Sequence, residues 1–343
     1  MNRKVKLGTV VVAAVMVLCT GQVALAQVEW TWDQVVVPPG DPGTWDSGRH
    51  NMGDVVFDGT TYHMYLVGGP GFTPIDNIWS VGHWEWDDIL QTWLADSANP
   101  VLVPEPGQWD AGFGSIAVLY DGATFHMWFS AAAGVNEPSY VGYATDADGR
   151  GDWTKYAGNP LVGLGPGAPG AWDDYGTVPK TVLVEGSSLR MWYVAFQGGY
   201  LDGTWRIGHA RSTDGGITWN KEPDTPVLEA KEPWEGNKAY QPTVVRYGDR
   251  FAMWYTGYNG VTAALGYAVS PDGLTWTKWP ANPVLTPRPG CNTVDSSEVI
   301  LLGDTAHGWV SNCYDVYHVT APMVLFADDF ESGGTSGWSA AVP

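Results

Sequence analysis

The sequence predicts an all-β protein: a five-bladed β-propeller with four antiparallel strands per blade. Three observations predict it. One pattern recurs as YHMYLVGG at Tyr62, FHMWFSAA at Phe125, LRMWYVAF at Leu189 and FAMWYTGY at Phe251, with Met64, Met127, Met191 and Met253 spaced by 63, 64 and 62 residues. Each copy carries four strand-like runs separated by Gly, Pro, Asp and Asn, and helical periodicity is absent. The stretch WTWDQVVVPPGDPGTWD from Trp30 matches WTKWPANPVLTPRPG from Trp276, the piece that the last copy lacks. The N-terminal strand is therefore expected to complete the last blade, which removes two free sheet edges.

In chain order, residues 1–26 read as an export signal. Arg3, Lys4 and Lys6 precede an apolar run from Val10 to Leu18, and Ala24-Leu25-Ala26 is a small-x-small cleavage site. That run is too short for a membrane span. The expectation is a soluble, secreted or periplasmic monomer, cleaved after Ala26. Each following unit reads N-P-V-L, a Gly/Pro turn, W-D, an apolar strand, D-G, the Met-Trp-Tyr strand, a loop, G-Y-A, and S-x-D-G-x-x-W. The apolar run, such as TVLV at Thr181, is buried on both faces and is the innermost strand. The propeller is expected over 27–322. Past 322 the pattern stops, and 323–343 reads as a flexible tail.

Composition limits the partners. The net charge of −20 falls to about −23 in the mature chain, because Arg3, Lys4 and Lys6 leave with the signal and no acid does. Such a surface repels nucleic acid and anionic lipid. It suits a neutral partner, and 20 Trp and 16 Tyr supply flat rings for sugar faces, although much of that area serves packing. Cys291 and Cys313 remain after cleavage and are expected to form one disulfide. The His residues form no metal-binding spacing. No metal or cofactor is expected.

Candidate site residues are the polar groups that break the repeat. The acids of the W-D step, Asp46, Asp110, Asp173 and Glu235, recur and read as structural, accepting backbone N–H bonds. By contrast, Asp54 and Glu298 stand at the start of the inner apolar run, where other units hold Ala117, Thr181 and Thr243. Ring closure makes their blades neighbours. Acid–base chemistry often needs two carboxyl groups, so Asp54, Asp174 and Glu298 are the catalytic candidates. Arg49, His50, Lys180, Lys238, Tyr240, Gln241 and Asp295 are candidates to bind substrate.

The N-P-V-L turns and M-W-Y strands resemble the arabinanase/levansucrase/invertase superfamily of five-bladed propellers, and most closely glycoside hydrolase family 43. The resemblance implies a secreted glycosidase acting on a polysaccharide or oligosaccharide at an axial pocket. Where that family places an acid before the inner run, this chain holds Met52, Ser115, Pro179, Gln241 and Ser296. A carbohydrate-binding propeller without catalysis, and a protein-binding scaffold, are the alternatives. STDGGITW at Ser212 also resembles the sialidase box, but no three arginines share a repeat position. The box reads as a structural turn.

Overall fold

Each repeat folds into an antiparallel run for local reasons. At the D-G turns the Asp58 carboxylate accepts the N–H groups of Thr60 and Thr61 at 2.7 and 2.8 Å, and Asp121 does the same for Ala123 and Thr124 at 2.9 Å. Gly59 and Gly122 take left-handed φ values of 97° and 98°, which a residue with a Cβ avoids. The N-P-V-L asparagines act as clips. Asn99 holds both backbone groups of His83, Asn159 those of Tyr143 and Asn282 those of Tyr267.

The structure is a computed structural model that describes residues 30–322 except 72–78, 135–136 and 304. The signal and the whole of the tail lie outside the described residues. The strands are β1 (Thr31–Val37), β2 (Arg49–Phe57), β3 (Tyr62–Gly69), β4 (Ser80–Asp87), β5 (Thr92–Ala95), β6 (Gly112–Tyr120), β7 (Phe125–Ala132), β8 (Tyr140–Asp146), β9 (Thr154–Lys155) and β10 (Gly176–Glu185). They continue as β11 (Ser188–Gln197), β12 (Thr204–Ser212), β13 (Asn220–Lys221), β14 (Lys238–Tyr247), β15 (Arg250–Tyr258), β16 (Ala263–Ser270), β17 (Thr277–Lys278), β18 (Val294–Leu302), β19 (Thr305–Asn312) and β20 (Asp315–Pro322).

Two sheets run β2-β3-β4-β5 and β6-β7-β8-β9. A third has eight strands, but it is two antiparallel runs, β10–β13 and β14–β17, joined by one parallel pairing of Trp205 with Lys238. In the fourth, β1 lies antiparallel to β20, with Thr31 opposite Thr320, so the order is β18-β19-β20-β1. The first strands of the runs pack in a closed cycle: β2 on β6, β6 on β10, β10 on β14, β14 on β18, and β18 on β2. Each of these five strands breaks register near its start, between Met52 and Asp54, Phe113 and Ser115, Pro179 and Thr181, Tyr240 and Thr243, and Asp295 and Glu298. A bulge of this kind re-aims side chains, here at the centre of the ring.

The repeated methionines are fully buried between runs. Neighbouring runs are also tied by hydrogen bonds from the second strand of one to the S-x-D-G turn of the next. Tyr65 donates to the Gly149 carbonyl at 2.8 Å, Trp128 to Gly216 at 2.8 Å and Trp192 to Gly273 at 2.9 Å. All three glycines have positive φ, and a Cβ on any of them would overlap the ring that donates to it. The box is therefore a joint between runs. Asp214 and Asp272 shape it by accepting N–H groups within their own turns.

Candidate functional site

A cavity of about 250 Å³ opens where the inner strands β6, β10 and β14 begin. One wall is aromatic: Tyr175, Phe196, Tyr200, Trp205 and Tyr240. The rings brace one another. Phe196 and Tyr200 each stand 5.0 Å from Trp205, and Tyr240 meets Trp205 edge-on at 4.9 Å. These rings come from the loop before β10, the end of β11, the loop before β12, the start of β12, and β14. The polar lining is Asn51, Ser115, Ser130, Ser139 and Gln241, and Glu137 is an exposed carboxylate of the lining.

Two sets of contacts hold the wall from behind. Trp205 donates its indole N–H to the Tyr200 carbonyl at 3.0 Å, and the Lys238 ammonium sits 4.3 Å from the Trp205 ring centre while donating to Leu201 O. A cation over an indole face is attracted by the ring quadrupole. Tyr240 donates its hydroxyl to Asp295 at 2.7 Å, and Asp295 is paired with Arg49 at 3.2 Å. Burial, followed by the Asp295 charge, pushes the Tyr240 phenol well above its ordinary range, so it remains a donor.

Farther along the same strands lies a buried charge cluster. Asp54 accepts the N–H of Val55 at 2.8 Å and that of Val118 on β6 at 2.6 Å. Lys180 is fully buried on β10, reaches the Gly53 carbonyl at 3.4 Å and is attracted by Glu298, Asp54 and Asp295. Burial pushes Asp54 up to about 7, against two backbone hydrogen bonds and the Lys180 charge. Burial and the nearby Asp54 push Glu298 well up, while burial pushes Lys180 down.

The expected catalytic group is thus regrouped. Asp54 and Glu298 feel each other and Lys180 in one buried charge cluster, and none of the three lines the cavity. Asn51, Ser115, Val178 and Gln241 line the cavity, and the charged cluster begins two or three residues beyond them. Asp174 is not with the pair: its carboxylate accepts the N–H groups of Gly170 and Gly198, both at 2.9 Å, and staples two loops. Lys180 cannot orient a sugar, because it is the buried counter-ion. Nor can His50, which is 1% exposed, bonds Asp46 at 3.1 Å and packs edge-on against Trp84. Arg49, Lys238 and Asp295 support the wall without lining the cavity. Tyr240 and Gln241 line it.

The W-D acids have partners that the sequence reading did not name. Lys155 reaches Asp110 at 2.6 Å, Lys221 pairs with Asp173, and Lys278 reaches Glu235 at 2.6 Å. Only Glu235 among these three also accepts backbone N–H groups, from Lys231 and Glu232. Each lysine comes from the short outermost strand, so the pair pins the crossing loop onto the run it introduces. Asp46 has His50 and Thr44 in place of a lysine. Cys291 and Cys313 are joined by a disulfide across a separation of 22 residues, at the mouth of β18 and β19. Among the described residues no group of three His, Cys, Asp or Glu is placed to hold a metal.

Residues 181–308 match the model of a glycoside hydrolase family 130, described as β-1,4-mannooligosaccharide phosphorylase. No curated protein sequence matches the chain. Among solved structures, a glycoside hydrolase superposes with a TM-score of 0.68 at 20% identity, covering 86% of this chain and 92% of that one. A member of the mannoside phosphorylase family 130, whose description includes glycoside hydrolases targeting β-1,2 mannosidic linkages in Candida mannan, gives 0.64 at 12% identity, covering 88% and 95%. A thermostable family-43 glycoside hydrolase gives 0.57 at 18%, covering 79% and 89%. The chain therefore has a propeller-like, all-β glycoside hydrolase fold.

Proposed function

We propose that the protein recognises a neutral oligosaccharide, with one chain end seated in the cavity against the aromatic wall. The observation that carries this reading is the lining itself: five aromatic rings, hydroxyl and amide groups, one carboxylate and, among the described residues, no cation. Flat rings with polar tips match a sugar's apolar face and its equatorial hydroxyls. The scaffold is read as five blades, which the closed cycle of inner strands and the single-pairing join in the eight-stranded sheet support. Export through a signal ending at Ala26, a propeller over 27–322 and a tail over 323–343 belong to the same proposal, and the disulfide supports export.

A β-linked mannooligosaccharide is the first ligand class to test, on the family-130 match over 181–308. Phosphorolysis is disfavoured, because a phosphate would find no positive side chain among the described lining residues. Hydrolysis is the second reading, and Glu137 at the rim is the residue that favours it. Incubation with β-1,4-mannotriose, xylotriose and arabinotriose, with and without phosphate, separates these. Binding without released sugar supports recognition alone. Release that is independent of phosphate and lost in Glu137→Gln supports hydrolysis. Absence of binding to every glycan contradicts the reading.

A further inference from the structure

We infer that Gln241 and Ser115 form a polar floor in this cavity that reads hydroxyl groups of the seated sugar; the inference rests on the carbohydrate reading above. The amide oxygen of Gln241 is buried and has no hydrogen-bond partner, and Gln241 lines the cavity. A buried acceptor without a donor is unfavourable until something supplies one. Ser115, 2% exposed, presents the same situation from the other side. The Ser130 hydroxyl already serves both backbone groups of Ser115, at 2.9 and 3.3 Å, and the Ser115 hydroxyl is left over.

The backbone gives an independent indication. Gln241 has φ +54°, the left-handed region, and it precedes Pro242. A proline restricts the preceding residue to extended conformations, so the position is doubly disfavoured for a residue with a side chain. The register break between Tyr240 and Thr243 leaves Gln241 and Pro242 out of the ladder, freeing the Gln241 amide to face the cavity. The inner strands β2 and β6 hold glycine within their breaks, Gly53 and Gly114, yet neither takes a positive φ, so the left-handed backbone belongs to Gln241 and not to the break as such. Glycine at 241 would relax the backbone, but it would remove the amide. Strain of this kind, held beside a cavity with spare polar atoms, marks a ligand-contacting position.

The floor therefore selects rings with free hydroxyl protons at their buried end. A ring whose hydroxyls there are replaced by hydrogen leaves both Gln241 and Ser115 unpaired, and a methyl ether, which has no proton to donate, leaves the Gln241 oxygen unpaired. Removing one such bond costs about tenfold to a hundredfold in affinity.

The test titrates wild type, Gln241→Gly and Ser115→Ala with β-1,4-mannotriose, xylotriose and arabinotriose by calorimetry, alongside thermal unfolding. The expected result is that wild type binds at least one trisaccharide. Each variant should bind it about tenfold or more weakly, with the Tm of Gln241→Gly equal to or above wild type. Wild-type binding with undiminished affinity in both variants would overturn the floor and leave the carbohydrate reading standing. A lowered Tm in Gln241→Gly with unchanged affinity would show that the residue serves the fold. No binding by wild type would overturn the carbohydrate reading and the floor with it.

Discussion

Replacing Lys180 with methionine keeps the length of the side chain and removes its charge from the centre of the ring. Lys180 is fully buried, and Asp54 and Glu298 lie within its field at 6% and 8% exposure. Removing one partner of a buried ion pair costs about 3–5 kcal/mol, because the other charge is left uncompensated. Here the cost must depend on pH. Asp54 is raised from 3.8 to about 7 and Glu298 is raised well above its ordinary value, so both hold their protons more tightly in the fold than in the unfolded chain. A raised carboxyl stabilises fully below its unfolded value, and that contribution is lost as pH climbs through the folded value. In Lys180→Met the decline above pH 4 should steepen, by up to about 1.4 kcal/mol per pH unit for each carboxyl that stays protonated in the fold. At pH 5 the neutral carboxyls hardly miss the lysine, and the wild-type ammonium is itself poorly compensated. The variant should then match or exceed wild type, and at pH 8 it should trail by about 3 kcal/mol. Urea unfolding of both proteins at pH 5, 6, 7 and 8 measures this. A stability difference that is the same at pH 5 and pH 8 would refute the reasoning.

The other ties lend themselves to shorter tests. Lys278→Met strands the fully buried Glu235 carboxylate and should cost about 3–5 kcal/mol at pH 7 without changing ligand affinity; denaturation and calorimetry check the two halves. Trp192→Phe keeps an aromatic ring beside His209 and Phe251 and loses the bond to Gly273 O, leaving a buried acceptor short of its donor, so stability should fall by about 1–3 kcal/mol. Cys291→Ser with Cys313→Ser should lower stability by about 3 kcal/mol in the chain-entropy account, and reductant should then have no further effect. Trp205→Ala removes the centre of the aromatic wall and should weaken glycan binding about tenfold or more while the far-ultraviolet spectrum is unchanged.

What the sequence disclosed was what is written locally. D-G turns, Asn clips and the methionine strands each depend on a few adjacent residues, so their recurrence exposes the runs and the strand at Trp30 that pairs with β20. The W-D acids were read as structural, and the lysines that pair with three of them went unnamed. Lys155, Lys221 and Lys278 recur in the outermost strand, and that spacing was a usable signal. Depth was not legible. Asp54 and Gln241 both stand near the start of an inner strand, but a shift of about three residues separates a cavity floor from a buried salt cluster. His50 and Asp174 broke the repeat for packing and for loop stapling. The aromatic wall is assembled by two loops, the end of β11, the start of β12 and β14 through contacts between neighbouring runs, which no single stretch of sequence records. Glu137 sits in the loop after β7, with nothing nearby in the sequence to mark it.

A crystal of the protein soaked with β-1,4-mannotriose tests the central claim most directly. The account predicts one sugar ring stacked on the wall of Trp205, Tyr200 and Tyr240, with hydroxyl groups within hydrogen-bond distance of Gln241 and Ser115, while Asp54, Lys180 and Glu298 stay sealed beneath it. Sugar bound elsewhere with this cavity empty, or a sugar in direct contact with Asp54 and Glu298, would contradict it.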